Sequence, residues 1–388
     1  VRRRKGVLAA AVALATATLA GCGSGGAAGA GCLDTSYAPA RQALAELKGK
    51  VLTKGPHGEE PVSAAGIQLS GSELAQVRGR NATAAIVMHY TGDDWTNAQI
   101  KALRAEFGRL GIRIISVTDA GSDPDRQVSD LETVSARRPD IIVSIPTDQV
   151  ATAGAYRMVA SQGIKIVFMD NVPNGFVHGR DYVSTVSADN YGNGVVAAHL
   201  MADKLGGAGK VGAVFHQADF FVTKQRYLGF KDTITRNYPN IQLVEEKGIV
   251  GPDLAGDAQN AANAMLLKYP DLKGIWGVWD VPTEGVLAAA RSVDRGDIVI
   301  TTEDLGKNVG IAMAKNQMVQ GLGAQRPYDQ GVTEARLAAY SLLGKPAPAY
   351  VALDALPVTH ENLLDAWPEV YHEPTPPEIV HSYRKCDQ

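Results

Sequence analysis

Carboxylates, amides, one arginine and several aromatic rings recur in this 388-residue sequence directly behind short apolar runs. TGDDWT supplies Asp93, Asp94 and Trp95, and FMDN ends in Asp170 and Asn171. QADFFVTKQR carries Phe220, Phe221, Lys224 and Arg226. GIWGVWDVP holds Trp276, Trp279 and Asp280, TTED ends in Glu303 and Asp304, and GLGAQ ends in Gln325. A carboxylate accepts hydrogens from hydroxyl donors, a guanidinium donates in a planar fork, and an indole covers an apolar face. That is equipment for holding a small ligand rich in polar groups. Motifs for bond breaking fail inspection. GAGKVG at 207–212 fits a GxGxxG pattern, but it precedes an apolar run instead of following one, and no Ser or Thr follows its Gly-Lys. The eight histidines form no HxxxH pair and there is no GxSxG elbow, so no catalytic residue, cofactor or metal is expected.

The apolar runs read as strands. TAAIVMHY is followed by WTNAQIKALRAEFGRLG, whose apolar residues fall at helical spacing. IRIISVTDA is followed by a helix that Asp123 caps and Pro124 opens. DIIVSIP and IKIVFMD continue the alternation, and the same grammar restarts behind residue 188. Strands apolar throughout are buried on both faces, which predicts two doubly wound parallel-sheet α/β domains. Sites on such sheets lie beyond the carboxyl ends of the strands. The polar and aromatic residues at those ends converge only if the two halves face each other across a cleft. Trp276 lies inside its strand and three residues from Trp279, so the two rings take opposite faces and Trp276 reads as core.

Taken together, the strand–DDW–helix start, SIPTD (144–148), FMDN (168–171), VSADNYGNG (186–194), KQRYLGF (224–230) and GVWDVPTEG (277–285) resemble the bacterial periplasmic sugar-binding proteins of the ribose-binding type. These are the solute receptors of ABC importers, and the resemblance spans residues 83–356. It implies a type I periplasmic-binding fold with three crossings near Ser187, Gln325 and Ala352. The lobes would then be 81–187 plus 326–352, and 188–325 plus 353–388. They would close by a hinge on a sugar or polyol and deliver it to the transmembrane subunits of an ABC permease. The ligand positions it implies are Asp93, Trp95, Asp170, Arg226, Asp304 and Gln325, with Glu303 as a register rival of Asp304. Asn171 stands where the family usually has a basic residue, and Trp279, followed by Asp280, where it has an asparagine. Those two departures point to a hydroxyl pattern other than that of ribose. Asp94 suits a helix cap, which makes Asp93 the better ligand candidate. Phe220 and Phe221 fit loop packing or the site, Asp280 fits contact with ligand or orientation of its neighbours, and Asp189 and Asn190 read as helix-capping residues. Lys224 reads as a solvated helix charge. The same fold could instead receive a furanosyl signal or a nucleoside for a permease or a sensor, and bound NAD would revive a Rossmann-type sugar enzyme.

The first 21 residues read as an export signal: RRRK, then an apolar run of about 15 residues, shorter than the roughly 20 of a membrane span. LAGC resembles a bacterial lipobox, with Cys22 as the lipidated residue that anchors an extracytoplasmic protein to the cell membrane. Residues 22–32 form a flexible Gly-rich tether, and 33–80 an extension with one short helix broken by Gly and Pro. The remaining cysteines, Cys32 and Cys386, could pair in an oxidising compartment. Beyond residue 21 the chain has 34 basic against 41 acidic residues, which argues against a nucleic-acid surface, and a monomer is expected. Replacing Trp279 with Ala is expected to weaken ligand binding strongly, while Trp276→Ala mainly costs stability. Fluorescence titration and thermal unfolding of both variants check this, and the reverse pattern contradicts it.

Overall fold

The structure, a computed structural model, describes residues 36–385. Cys22, Cys32 and Cys386, with the lipid and the disulfide expected of them, lie outside the described residues. The described chain opens with α1 (Ala38–Leu47), β1 (Val62–Ser63) and α2 (Gly71–Gly79). It then alternates through β2 (Thr83–Met88), α3 (Asp94–Leu110), β3 (Arg113–Asp119), α4 (Pro124–Ala136), β4 (Ile141–Ser144), α5 (Ala153–Ser161), β5 (Lys165–Met169) and β6 (Ser184–Ala188). A second series follows: α6 (Asn190–Lys204), β7 (Gly209–His216), α7 (Phe221–Asn237), β8 (Ile241–Ile249), α8 (Leu254–Lys268), β9 (Leu272–Gly277), α9 (Asp280–Ser292), β10 (Val299–Glu303), α10 (Lys307–Ala314) and β11 (Val319–Ala324). The chain closes with α11 (Pro327–Leu343), β12 (Tyr350–Leu353), β13 (Leu356–Val358), α12 (Leu363–Tyr371) and α13 (Pro377–Ser382).

Two sheets result. The first has the order β1-β12-β6-β5-β4-β2-β3 and is parallel throughout. The second has the order β13-β11-β10-β9-β7-β8 and is parallel except for β13. The β2 and β4 strands are apolar and buried along nearly their whole length because helices cover both faces. α3 buries Ala98, Ala102, Leu103, Phe107 and Leu110, a stripe at helical spacing, and ends at Gly111, which takes φ 71° to stop it. The chain passes between the sheets after β6, after β11 and between β12 and β13.

The described segment ahead of residue 80, from residue 36 onward, packs on both lobes. α1 packs on α6, where Asp203 accepts hydrogen bonds from the Tyr37 N–H at 2.7 Å and from Arg41 Nε at 3.0 Å. The chain then runs past the hinge. There Asp189, between β6 and α6, accepts from the N–H groups of Leu52 and Thr53 at 2.7 and 2.8 Å as well as from Gly192. Beyond it, β1 adds to the edge of the first sheet beside β12. One carboxylate therefore caps α6 and fastens a strap that touches both lobes. Similarly, α12 and α13 belong to the second core, in which Leu363, Trp367, Val370 and Ile379 are buried.

Asp189→Ala strands the buried N–H groups of Thr53 and Gly192. It is expected to lower unfolding stability by about 2 kcal/mol or more, with Asp189→Asn costing less because it keeps one acceptor. Denaturant unfolding of both variants checks this.

Candidate ligand-binding site

The loops at the carboxyl ends of both sheets enclose a cavity of about 450 Å³. The first sheet contributes Asp93, Trp95 and Asp170; the second contributes Phe220, Arg226, Trp279, Asp280 and Asp304; Gln325 stands at a crossing between them. Four candidates from the sequence do not line it: Asp94, Asn171, Phe221 and Glu303.

Arg226 organises the site. It lies on α7, which packs backbone to backbone on α6 through two glycines. A Cβ on Gly194 would lie 2.1 Å from the Arg226 carbonyl oxygen, and one on Gly229 would lie 2.1 Å from that of Tyr191. The close approach sets Arg226 beside the first turn of α6, where its Nε donates to Asn190 Oδ1 at 3.0 Å. Nη1 donates to Asp304 Oδ2 at 2.8 Å and to the Val278 carbonyl at 3.4 Å. Glu303 Oε2 stands 3.7 Å from Nε. Burial opposes the charge on Arg226, but Asp304, Glu303 and Asp170 together hold its proton more tightly than usual. Nη2 makes no hydrogen bond among the described residues and is left for the cavity.

The network continues across the cleft. Gln325 Nε2 donates to Asp304 Oδ1 at 2.7 Å, and Trp95 Nε1 donates to Gln325 Oε1 at 3.3 Å. An unbroken hydrogen-bonded chain thus runs from Asn190 through Arg226, Asp304 and Gln325 to Trp95. The two strand-end aspartates are built alike. Asp170 and Asp304 take positive φ values of 55° and 63°, and their N–H groups donate to Val186 and Gly323 on the neighbouring strands. Aspartate tolerates that left-handed region better than most residues, and the kink turns its side chain out of the sheet. Asp170 Oδ1 accepts from Ser187 Oγ at 2.7 Å and from Gln330 at 3.2 Å, which leaves Oδ2 unengaged among the described residues. Burial pushes the Asp170 carboxyl up to about 6, against the pull of the Ser187 hydroxyl and the Arg226 charge.

Several expectations need correction. Asp93, not Asp94, caps α3: its Oδ1 accepts from the Thr96 N–H at 2.7 Å and its Oδ2 from the Tyr90 hydroxyl. Asp94 is the first helical residue and reaches the other lobe, where it accepts from the Lys307 N–H at 2.8 Å. It therefore caps α10 across the cleft. Asn171 turns into the protein and is fully buried, because the kink at Asp170 gives the cavity to Asp170 alone. Glu303 lies behind Asp304, where it accepts from Trp276 Nε1 at 3.2 Å, and burial raises its carboxyl well above the usual range. Trp276 is fully buried and stacks on Phe230 at 4.9 Å.

The sequence reading missed His89, Tyr90, His216 and Thr223, all of which line the cavity. Their signal was position: HY follows β2 directly, and His216 ends β7. The two imidazoles complete an aromatic belt. Ring centroids lie 6.2 Å apart from Trp95 to His89, 6.5 Å from His89 to Phe220, 6.2 Å from Phe220 to His216 and 5.6 Å from His216 to Trp279. Burial pushes His89 down to about 4 and lowers His216, so both stay uncharged near neutral pH. Among the described residues, no group of three or more His, Cys, Asp or Glu side chains is placed to hold a metal ion.

The description "periplasmic binding protein domain" matches residues 84–346. The ribose import binding protein RbsB of Bacillus subtilis is 26% identical over 228 residues, covering 58% of this chain and 70% of its own length. RbsB of Salmonella typhimurium is 22% identical over 291 residues, covering 74% and 94%. Among solved structures, an ABC transporter solute-binding protein from Agrobacterium vitis with bound allitol aligns with TM-score 0.66 at 24% identity, covering 74% of this chain and 98% of that one. A sugar ABC transporter subunit from Rhodobacter sphaeroides aligns with TM-score 0.64 at 27% identity, covering 72% and 99%.

Arg226→Met leaves Asp304 and Glu303 buried without their cation and is expected to cost about 3–5 kcal/mol of stability. Chemical unfolding measures the loss, and a change under ~1 kcal/mol contradicts the organising role given to Arg226.

Proposed function

The chain belongs to the periplasmic binding protein family, and on that premise we propose that it is the receptor of an ABC importer, capturing a sugar or polyol between its lobes. The observation that carries this reading is the joint lining of one cavity by buried polar groups and indole rings from both sheets. A sugar presents hydroxyls around its rim and C–H groups on its faces. Asp170 Oδ2 accepts from hydroxyl donors, Arg226 Nη2 donates to a ligand oxygen, and Trp95 and Trp279 cover the apolar faces. Groups from both lobes then gain more from ligand in the closed arrangement than in an open one, so binding favours closure. Relatives named for ribose import and a neighbour holding allitol support the ligand class. Asn171 and Trp279 stand where the ribose type has a basic residue and an asparagine, which supports a hydroxyl pattern other than that of ribose. The LAGC motif supports an extracytoplasmic protein held to the membrane by lipid on Cys22 and releasing its cargo to permease subunits.

A thermal-shift screen of pentoses, hexoses, inositols and sugar alcohols tests the reading. A true ligand at 100 times its Kd should add about 2.7 kcal/mol to unfolding stability. If no compound stabilises the protein, the sugar reading fails. Affinity should also depend on pH. The ionised carboxylate of Asp170 accepts ligand hydroxyls, and bound donors lower its pKa from the free value of about 6. The contribution of Asp170 to binding is therefore full above about pH 6 and weakens as pH falls through it, and Asp170→Asn should remove that contribution.

A further inference from the structure

We propose that the ligand this cavity is built for carries a protonated amine: it is an amino sugar or an aminated polyol. This narrows the reading of the cavity as a sugar or polyol site and rests on it. Most of the lining carboxyl groups are already committed to partners within the protein. Asp93 is used by the Thr96 N–H and the Tyr90 hydroxyl, and Asp304 by Arg226 and Gln325. The charge of Arg226 is matched by Asp304 at 2.8 Å and faced by Glu303 at 3.7 Å. Asp280 is different. It lines the cavity, half-buried, and no side chain among the described residues bonds it; its hydrogen bond comes from the Val281 N–H. It is also a closely fitted group, because a Cβ on Gly306 would lie 1.9 Å from its Oδ2.

Charge then decides. Four inner carboxyl groups, Asp93, Asp170, Asp280 and Asp304, face a single committed guanidinium. Burial raises the Asp280 carboxyl well above its usual range, and the charges of Asp304 and Asp93 add to the effect. An incoming ammonium reverses that penalty and forms a charge-assisted bond where a hydroxyl forms an ordinary one. Trp279 precedes Asp280 directly, and the aromatic belt ends on it. Trp279 and Asp280 line the same cavity, and an indole ring adds its attraction for a cation to that of a carboxylate. A ligand carboxylate or phosphate would meet the same groups as repulsion.

Isothermal titration of the protein with matched trios tests this: a neutral sugar or alditol, its amino-deoxy counterpart and its carboxylate counterpart, across pentoses, hexoses and alditols. In at least one trio the amine should bind about tenfold or more tightly than the neutral parent, with no binding by the acid. Asp280→Asn should bring the amine-to-neutral ratio close to one. A neutral parent that binds as tightly as its amine overturns this inference and leaves the receptor reading standing. A preference that survives in Asp280→Asn overturns the role given to that residue. If no member of any trio binds, the receptor reading falls and the inference falls with it.

Discussion

A guanidinium buried at the base of a cleft must have its charge matched, and much of this structure follows from meeting that demand for Arg226. Removing the charge from water is costly unless counter-charges and hydrogen-bond acceptors are in place. Asn190, Val278, Asp304 and Glu303 supply them, and they come from the start of α6, the end of β9 and the end of β10. The demand therefore fixes two strand ends and one hinge crossing relative to one another. Through Asp304 it also orients Gln325, at a second crossing, and through Gln325 the indole of Trp95 in the other lobe. Such networks are rigid when complete. The open polar atoms and the indole faces that remain are thus presented at set positions.

Contacts outside the network also join the two lobes. Asp94 caps α10 across the cleft, Ala98 of α3 sits in the second core, and Phe220 packs against the first. Lys101 pairs with Glu373 at the rim. The strap from α1 to β1, pinned by Asp189, connects the two lobes beside the three crossings as a fourth segment.

Much of this was legible in the sequence. Continuous apolar runs alternating with amphipathic stretches gave the two parallel sheets, and the rule that sites lie beyond strand ends picked out Asp170, Arg226, Trp279, Asp304 and Gln325. What stayed hidden has physical reasons. β6 reads STVSA and looks like a loop, yet it is buried throughout because Ser184 and Ser187 bond the Pro348 carbonyl and Asp170. Asp93 and Asp94 are equally good caps by composition, and only the backbone decides which one faces Thr96. The position after Asp170 points inward because of a left-handed kink that no periodicity reveals. The strap and the C-terminal helices were obscured by Gly and Pro breaks and by Pro368 inside α12. His89 and His216 were overlooked because isolated histidines carry no spacing pattern, although their places at strand ends marked them.

The most direct measurement is a crystal structure of the protein with its stabilising ligand bound. The account predicts a ligand ring or chain lying between Trp95 and Trp279, with polar groups on Asp170, Arg226 and Asp280, and with the Arg226–Asp304–Gln325–Trp95 chain intact. A ligand seated outside this cavity, or one whose binding breaks that chain, would contradict it.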